Sequence, residues 1–237
     1  MSLDANAWQD VHTRIAAAAR AAGRDPAQIR LLAVTKGFPP EAVRAAYALG
    51  QRAFGENYVQ EATAKMRALA DLPELEWHLI GPLQRNKTRV AGESFGWIET
   101  IARLDIAERL SAARSAMPAL DVCIQVNISA EPRKSGIAPD AALELARQVS
   151  RLPALALRGF MGIAEETPDA ARQRTQFGVL RELYDAAGAA GLAVDTLSMG
   201  MSADLEAAIA EGATLVRVGS ALFGPRPNRL GPEVRDT

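Results

Sequence analysis

Eight short strand-like runs alternating with helical segments dominate this chain and leave few architectures open to it. The runs are Leu31–Thr35, Arg52–Glu56, Glu76–Gly81, Trp97–Ile101, Asp121–Ile128, Ala156–Ile163, Thr196–Met199 and Thr214–Gly219, each rich in β-branched, aromatic or leucine side chains. Helical segments fill the intervals at Pro40–Leu49, Tyr58–Ala70, Asn86–Ala91, Asp105–Ala116, Ala141–Leu152, Ala170–Ala187 and Ala203–Ala210. Such alternation implies an α/β fold with a parallel sheet. Eight repeats within 237 residues favour closure into a single eight-stranded β/α barrel of the TIM type over an open doubly wound sheet. Ahead of the first strand, Trp8, Val11, Ile15, Ala18 and Ala19 recur at helical spacing, so an extra N-terminal helix is expected from about Asp4 to Ala22, stopped by Gly23. Pro40 suits a first helical turn, and Gly50, Gly92, Gly188 and Gly212 mark expected helix ends.

No Pro-, Gly- or Ser-rich linker interrupts the repeat, so one domain over residues 1–237 is expected, with a short irregular C-terminal tail from about 225. The net charge of -1 argues against a nucleic-acid partner, which normally demands a basic face. The N-terminal Met1-Ser2-Leu3-Asp4 lacks a basic segment leading into an apolar one, and no run reaches the ~18 apolar residues of a membrane span, so neither secretion nor membrane insertion is expected. Cys123, the only cysteine, lies in an apolar run and cannot form an intrachain disulfide, which suits a reducing cytoplasm. One cysteine and two scattered histidines, His12 and His78, give no basis for a metal site.

In barrels of this kind the chemistry gathers at the carboxyl ends of the strands. Only four of the 27 basic side chains are lysine, at 36, 65, 87 and 134, so a retained lysine invites the question of what arginine cannot supply there. Lys36 closes the first strand and is followed by Gly37-Phe38-Pro39-Pro40; period-two alternation puts Leu32, Val34 and Lys36 on one face. Facing inward, Lys36 would be a partly desolvated, nucleophilic amine at the barrel mouth; facing outward, it is a solvated lysine. Arg217, in the otherwise apolar last strand, needs a partner. It either faces the same mouth or forms an internal ion pair with Glu56 or Glu99. Ser198-Met199-Gly200-Met201-Ser202 after strand seven and Gly219-Ser220 before Phe223-Gly224 after strand eight read as a phosphate site, because phosphate-binding barrels use these two loops. Ser202 is also placed to cap a helix beginning near Ala203. Asn57 ends strand two and is either a ligand contact or a turn residue. His78 reads as a hydrogen-bonded structural histidine, and Lys134 as a second loop amine after strand five.

The motifs Ala33-Val34-Thr35-Lys36, Phe54-Gly55-Glu56-Asn57-Tyr58-Val59-Gln60-Glu61, Trp77 to Lys87, Lys134-Ser135-Gly136, Leu197 to Ser202 and Val216-Arg217-Val218-Gly219 together closely resemble the pyridoxal phosphate homeostasis protein family, from about Leu32 to Gly224. The resemblance implies a barrel like the N-terminal domain of alanine racemase. It implies pyridoxal 5′-phosphate (PLP) as cofactor, Lys36 as its Schiff-base lysine, and phosphate contacts from Ser198, Met199, Gly200, Ser202, Gly219 and Ser220. Arg217 would then face the pyridine nitrogen, and Asn57 would help hold the ring.

Carbanion chemistry on PLP works best when that nitrogen is protonated and paired with a carboxylate. An arginine disfavours the proton. A racemase also needs acid/base groups on both faces of its substrate, and Tyr47, Tyr58 and Tyr184 all fall in helical segments. The expectation is therefore a cytoplasmic, non-catalytic PLP protein that binds, stores or delivers the cofactor. PLP-dependent apoenzymes are its possible partners, and the lack of a second, β-domain allows a monomer. A small PLP-dependent amino-acid racemase is the alternative, and a cofactor-free Schiff-base aldolase a third reading.

Overall fold

A computed structural model gives the structure of the chain and describes residues 5–129, 131 and 134–225. The expected tail from about 225, the leading Met1–Asp4 and the Pro132-Arg133 pair lie almost wholly outside the described residues. Among the described residues helix α1 (Ala5–Ala21) comes first, and strand and α-helix then alternate, with short 3-10 turns at Pro26–Gln28 and Arg85–Lys87. In order these are β1 (Arg30–Val34), α2 (Pro40–Ala48), β2 (Ala53–Glu56), α3 (Val59–Ala68), β3 (Glu76–Leu79), α4 (Thr88–Ser94), β4 (Trp97–Ile101), α5 (Leu104–Arg114), β5 (Leu120–Val126), α6 (Pro139–Val149), β6 (Leu155–Gly162), α7 (Ala170–Ala189), β7 (Thr196–Ser198), α8 (Leu205–Ala210), β8 (Leu215–Val218) and a single turn, α9 (Ser220–Phe223).

All eight strands pair in parallel with their sequence neighbours, and β8 returns to β1 to close the barrel. Among the described residues closure leaves no sheet edge unpaired. Alternation sorts the side chains. Leu31, Ala33 and Phe54 point outward into the large core shared with the helices, where Phe95, Phe160 and Phe177 are also wholly buried. Inside the barrel, Leu32, Ala53 and Leu215 pack with Ile80, while Trp97, Cys123 and Met161 pack with Ile163. The sequence reading of eight strands holds in every case, as does the extra N-terminal helix.

Two expected helix ends are not ends. Gly92 lies inside α4, where its bare Cα lets α5 approach; a Cβ there would sit 3.1 Å from that of Ala113. Gly188 is likewise inside α7, which continues to Ala189 because the apolar face running through Phe177, Leu180 and Ala187 is still being buried. Glycine lowers helix propensity by only about 1 kcal/mol, which such burial outweighs.

Candidate functional site

The turn after β1 carries Lys36. The Phe38 N–H donates to the Thr35 carbonyl at 3.0 Å, and Gly37, the third residue of the turn, has φ +75°. This is the pattern of a type II turn, in which the third position needs a left-handed conformation that glycine takes without strain. Lys36 therefore occupies the second position, half-buried, at the carboxyl end of the strand. Phe38, at the far side of the turn, packs its ring on Phe223 of α9 at 5.3 Å between centroids.

Register sets the neighbours. Val34 pairs with Gly55, so two residues further along Lys36 stands level with Asn57 at the end of β2. Asn57 is half-buried, and its side chain makes no hydrogen bond among the described residues. On the other side β8 pairs with β1 through Ala33 and Val218, and Gly219 lies so close to Val34 that a Cβ on it would meet the Val34 oxygen at 3.2 Å. Next to it, Ser220 directs its hydroxyl to that of Ser202, 3.2 Å away, and the Ala221 N–H approaches the same Ser202 oxygen at 3.4 Å. The loops after β7 and β8 thus meet through two accessible hydroxyls. Ser202 does not cap a helix at Ala203: α8 begins at Leu205, and the Asp204 carboxylate accepts instead from the Met201 N–H.

Three of the nominated residues sit deeper. Met199 is wholly buried in the core, and its N–H donates to the Leu215 carbonyl at 3.1 Å. Gly200 adopts φ +91° and presses onto α8, where a Cβ would come within 2.6 Å of that of Ala208; its carbonyl accepts from the Arg217 N–H. Ser198, the last residue of β7, is turned into the barrel, where its hydroxyl donates to Glu99 Oε2 and accepts from Arg217 at 2.7 Å.

Arg217 therefore has a partner that the sequence did not name. Its other terminal nitrogen donates to the carbonyl of Gly162, the last residue of β6, at 2.8 Å, so the guanidinium rises toward the carboxyl end of the barrel. Glu99 attracts it through Ser198 rather than by direct contact. Glu56 is not involved, since it faces outward toward α3. Burial favours losing the Arg217 charge, and the charge of Glu99 counteracts this.

Below Arg217 the same polar chain continues. His78, wholly buried and stacked on Trp97 at 4.9 Å, bonds Glu99 through Nδ1 at 2.6 Å and Glu76 through Nε2 at 2.7 Å. Burial acts to lower the His78 pKa, yet hydrogen bonds to the two carboxylates raise it above the ordinary histidine value. Burial likewise opposes ionisation of both acids, but His78 and Arg30 together outweigh it at Glu76, and His78, Arg217 and Ser198 together outweigh it at Glu99. Glu99 is held below the usual carboxylate range and Glu76 is drawn down to about 2. His78 is thus structural, as its sequence context suggested. Lys134 Nζ is engaged by Glu131 at 2.7 Å and by the Ala164 carbonyl at 3.1 Å. Tyr58, expected within a helix, instead precedes α3 and is half-exposed beside Asn57.

The carboxyl ends of the neighbouring strands β7, β8, β1 and β2 carry a pair of contacting hydroxyls, a lysine and a carboxamide, and a buried guanidinium lies on β8. None of these groups is acidic, and the set suits a ligand bearing a carbonyl and an anionic group. Fold and site together define a parallel β/α barrel with a half-buried lysine at the carboxyl end of its first strand. The family described as alanine racemase, N-terminal domain, matches residues 9–227. A pyridoxal phosphate homeostasis protein of Pseudomonas aeruginosa is 56% identical over 227 residues, covering 95% of this chain and 97% of that one. One from Escherichia coli is 50% identical, covering 91% and 94%. PipY of Synechococcus elongatus, solved with PLP bound, is 40% identical with a TM-score of 0.79, covering 90% of this chain and 100% of its own. The chain belongs to the pyridoxal phosphate homeostasis protein family.

Proposed function

We propose that the chain binds PLP at the carboxyl end of its barrel through a Schiff base on Lys36, and that it serves PLP homeostasis by storing or delivering the cofactor. The observation that carries this reading is the convergence of Lys36, Asn57, Ser202 and Ser220 on one end of neighbouring strands. The PLP-homeostasis names of its relatives and the PLP-bound PipY structure support it. PLP, when bound, supplies an aldehyde that condenses with an amine and a phosphate that accepts hydrogen bonds.

Lys36 is the amine at this end of β1. Ser202 and Ser220, with the backbone of Gly219, would hold the phosphate. Ser198 supports that loop from within the barrel, and Met199 and Gly200 support it from the helix side. Arg217, held by Ser198 and Gly162, maintains a positive charge beneath the mouth and discourages protonation of a ring nitrogen facing it. Asn57 would hold the ring from the β2 side. The reading extends to a cytoplasmic monomer acting as one barrel domain, with PLP-dependent apoenzymes as recipients.

The test is the near-ultraviolet and visible absorption of the purified protein with added PLP. A bound-cofactor band that vanishes in Lys36→Ala is expected, as is slow passage of PLP to an apoenzyme. Lack of any band that depends on Lys36 overturns the binding site. Robust exchange of an amino acid's α-proton overturns the non-catalytic reading in favour of a racemase.

A further inference from the structure

Lys65 is a buried cation that the site described above does not use. It lies on α3, only 4% exposed, on the outer side of the sheet. An ammonium group has three protons. Here it meets three acceptors: the Thr35 carbonyl at 2.6 Å, Glu56 Oε1 at 2.7 Å and Glu61 Oε1 at 2.8 Å. All three lead to the turn that bears Lys36. Thr35 precedes Lys36, and its hydroxyl also donates to Glu56 Oε1 at 2.6 Å. Gly37 follows Lys36, and its N–H donates to Glu61 Oε1 at 2.6 Å. The peptide groups on both sides of Lys36 are therefore fastened to one lysine–glutamate pair, spaced i,i+4 along α3.

The arrangement is costly as a means of stability alone. Burying an ion pair is commonly no better than burying apolar side chains of the same size. Glu56 is wholly buried, and its Oε2 has no hydrogen-bond partner among the described residues. What the charges supply is direction. Each bond from Lys65 ends on the turn itself, at the Thr35 carbonyl, or on a carboxylate that accepts from the turn: Glu56 from the Thr35 hydroxyl and Glu61 from the Gly37 N–H. The choice of lysine follows from the same geometry: three acceptors around one point suit a compact ammonium group and do not suit the planar fork of arginine. In a chain whose other basic side chains are nearly all arginine, this gives Lys65 a specific reason to be lysine.

We propose that Lys65 and Glu61 are positioning residues that clamp the Thr35–Phe38 turn from outside the barrel and so present the Lys36 amine to its ligand. The proposal rests on the reading of Lys36 as the PLP-binding amine. Neither side chain is required to touch the ligand. Their effect is to hold one backbone conformation at Lys36 that is then not ordered at the expense of binding.

The experiment uses the full chain and two variants, Lys65→Met and Glu61→Ala, with two readouts. Amide hydrogen exchange at Gly37 is followed without PLP, and PLP affinity is measured by absorption titration, with borohydride reduction and peptide mapping to locate the modified lysine. Both variants are expected to exchange Gly37 faster than the native chain while amides of β4 and β5 stay protected. PLP affinity should fall by about tenfold or more, the worth of one charge-assisted hydrogen bond. Lys65→Arg should fail to restore it. Native Gly37 protection and native PLP affinity in a folded Lys65→Met chain overturn the clamp. If that chain does not fold, the same result in Glu61→Ala overturns it. A loss of stability with unchanged PLP affinity shows a purely structural ion pair and also overturns it. A native protein with no Lys36-dependent band instead overturns the PLP reading beneath the proposal, and the exchange data separate that failure from failure of the clamp.

Discussion

Ser198 shows how one side chain serves two charged groups in a dry interior. Its hydroxyl accepts from Arg217 and donates to Glu99, and it is wholly buried. Ser198→Ala leaves a guanidinium nitrogen and a carboxylate oxygen each short of a partner, at an expected cost of about 1–3 kcal/mol. Urea unfolding of the variant measures this directly, and a change below about 0.5 kcal/mol would mean that the two charges find other partners. The residue also marks a limit of the sequence. Beside Gly200 and Ser202 it reads as part of a phosphate loop, whereas it is the last inward residue of a strand; its partner Glu99 is 99 positions away in the chain. The place of Lys36 at a strand end was legible because its signals are local, in an apolar run followed by Gly37. The Lys65 clamp was not, since Glu61 and Lys65 form an ordinary helical pair until the fold sets Thr35 and Gly37 against them.

Helix α7 carries a related lesson about elements. Gly188 looked like a terminator, yet the helix runs past it, and a Cβ built there meets nothing within 4 Å. Gly188→Ala should therefore stabilise the protein by about 0.5–1 kcal/mol, by restricting the unfolded chain and removing a weak helix former. Gly92→Ala in α4 should not, because its Cβ would press on Ala113 at 3.1 Å. Comparison of the two by thermal unfolding checks the contrast, and a destabilised Gly188→Ala would sink it. The strands were readable as elements because eight apolar runs at regular intervals are a repeated, local signal. Short elements were not: α9 spans four residues, and its Phe223 packs against Phe38, which lies far away in the sequence.

The polar chain Arg30–Glu76–His78–Glu99–Ser198–Arg217 runs from the exposed Arg30 through the barrel interior and links its opposite sides, so its protonation bears on the stability of the whole molecule. The sign differs at its two kinds of member. Burial opposes ionisation of Glu76, but His78 and Arg30 bring it from an ordinary 4.5 to about 2. Its contribution is present above about pH 4.5 and is lost as pH falls toward 2, and Glu99 is depressed in the same sense. His78 is raised above its ordinary 6.5, so its contribution is complete below that pH and is lost as pH rises through its folded value. Both losses describe the same contacts and are not additive, because the three groups titrate as a coupled set. The stability difference between the native chain and His78→Gln should therefore be greatest between about pH 4.5 and 6.5 and shrink on either side. In the variant, two carboxylates lose a cationic partner inside the barrel, which penalises it most where they are ionised and His78 would be charged. Urea midpoints of both proteins, taken within this range and well to either side of it, measure the difference. A flat difference would show that His78 acts by packing on Trp97 alone, with no role for its charge.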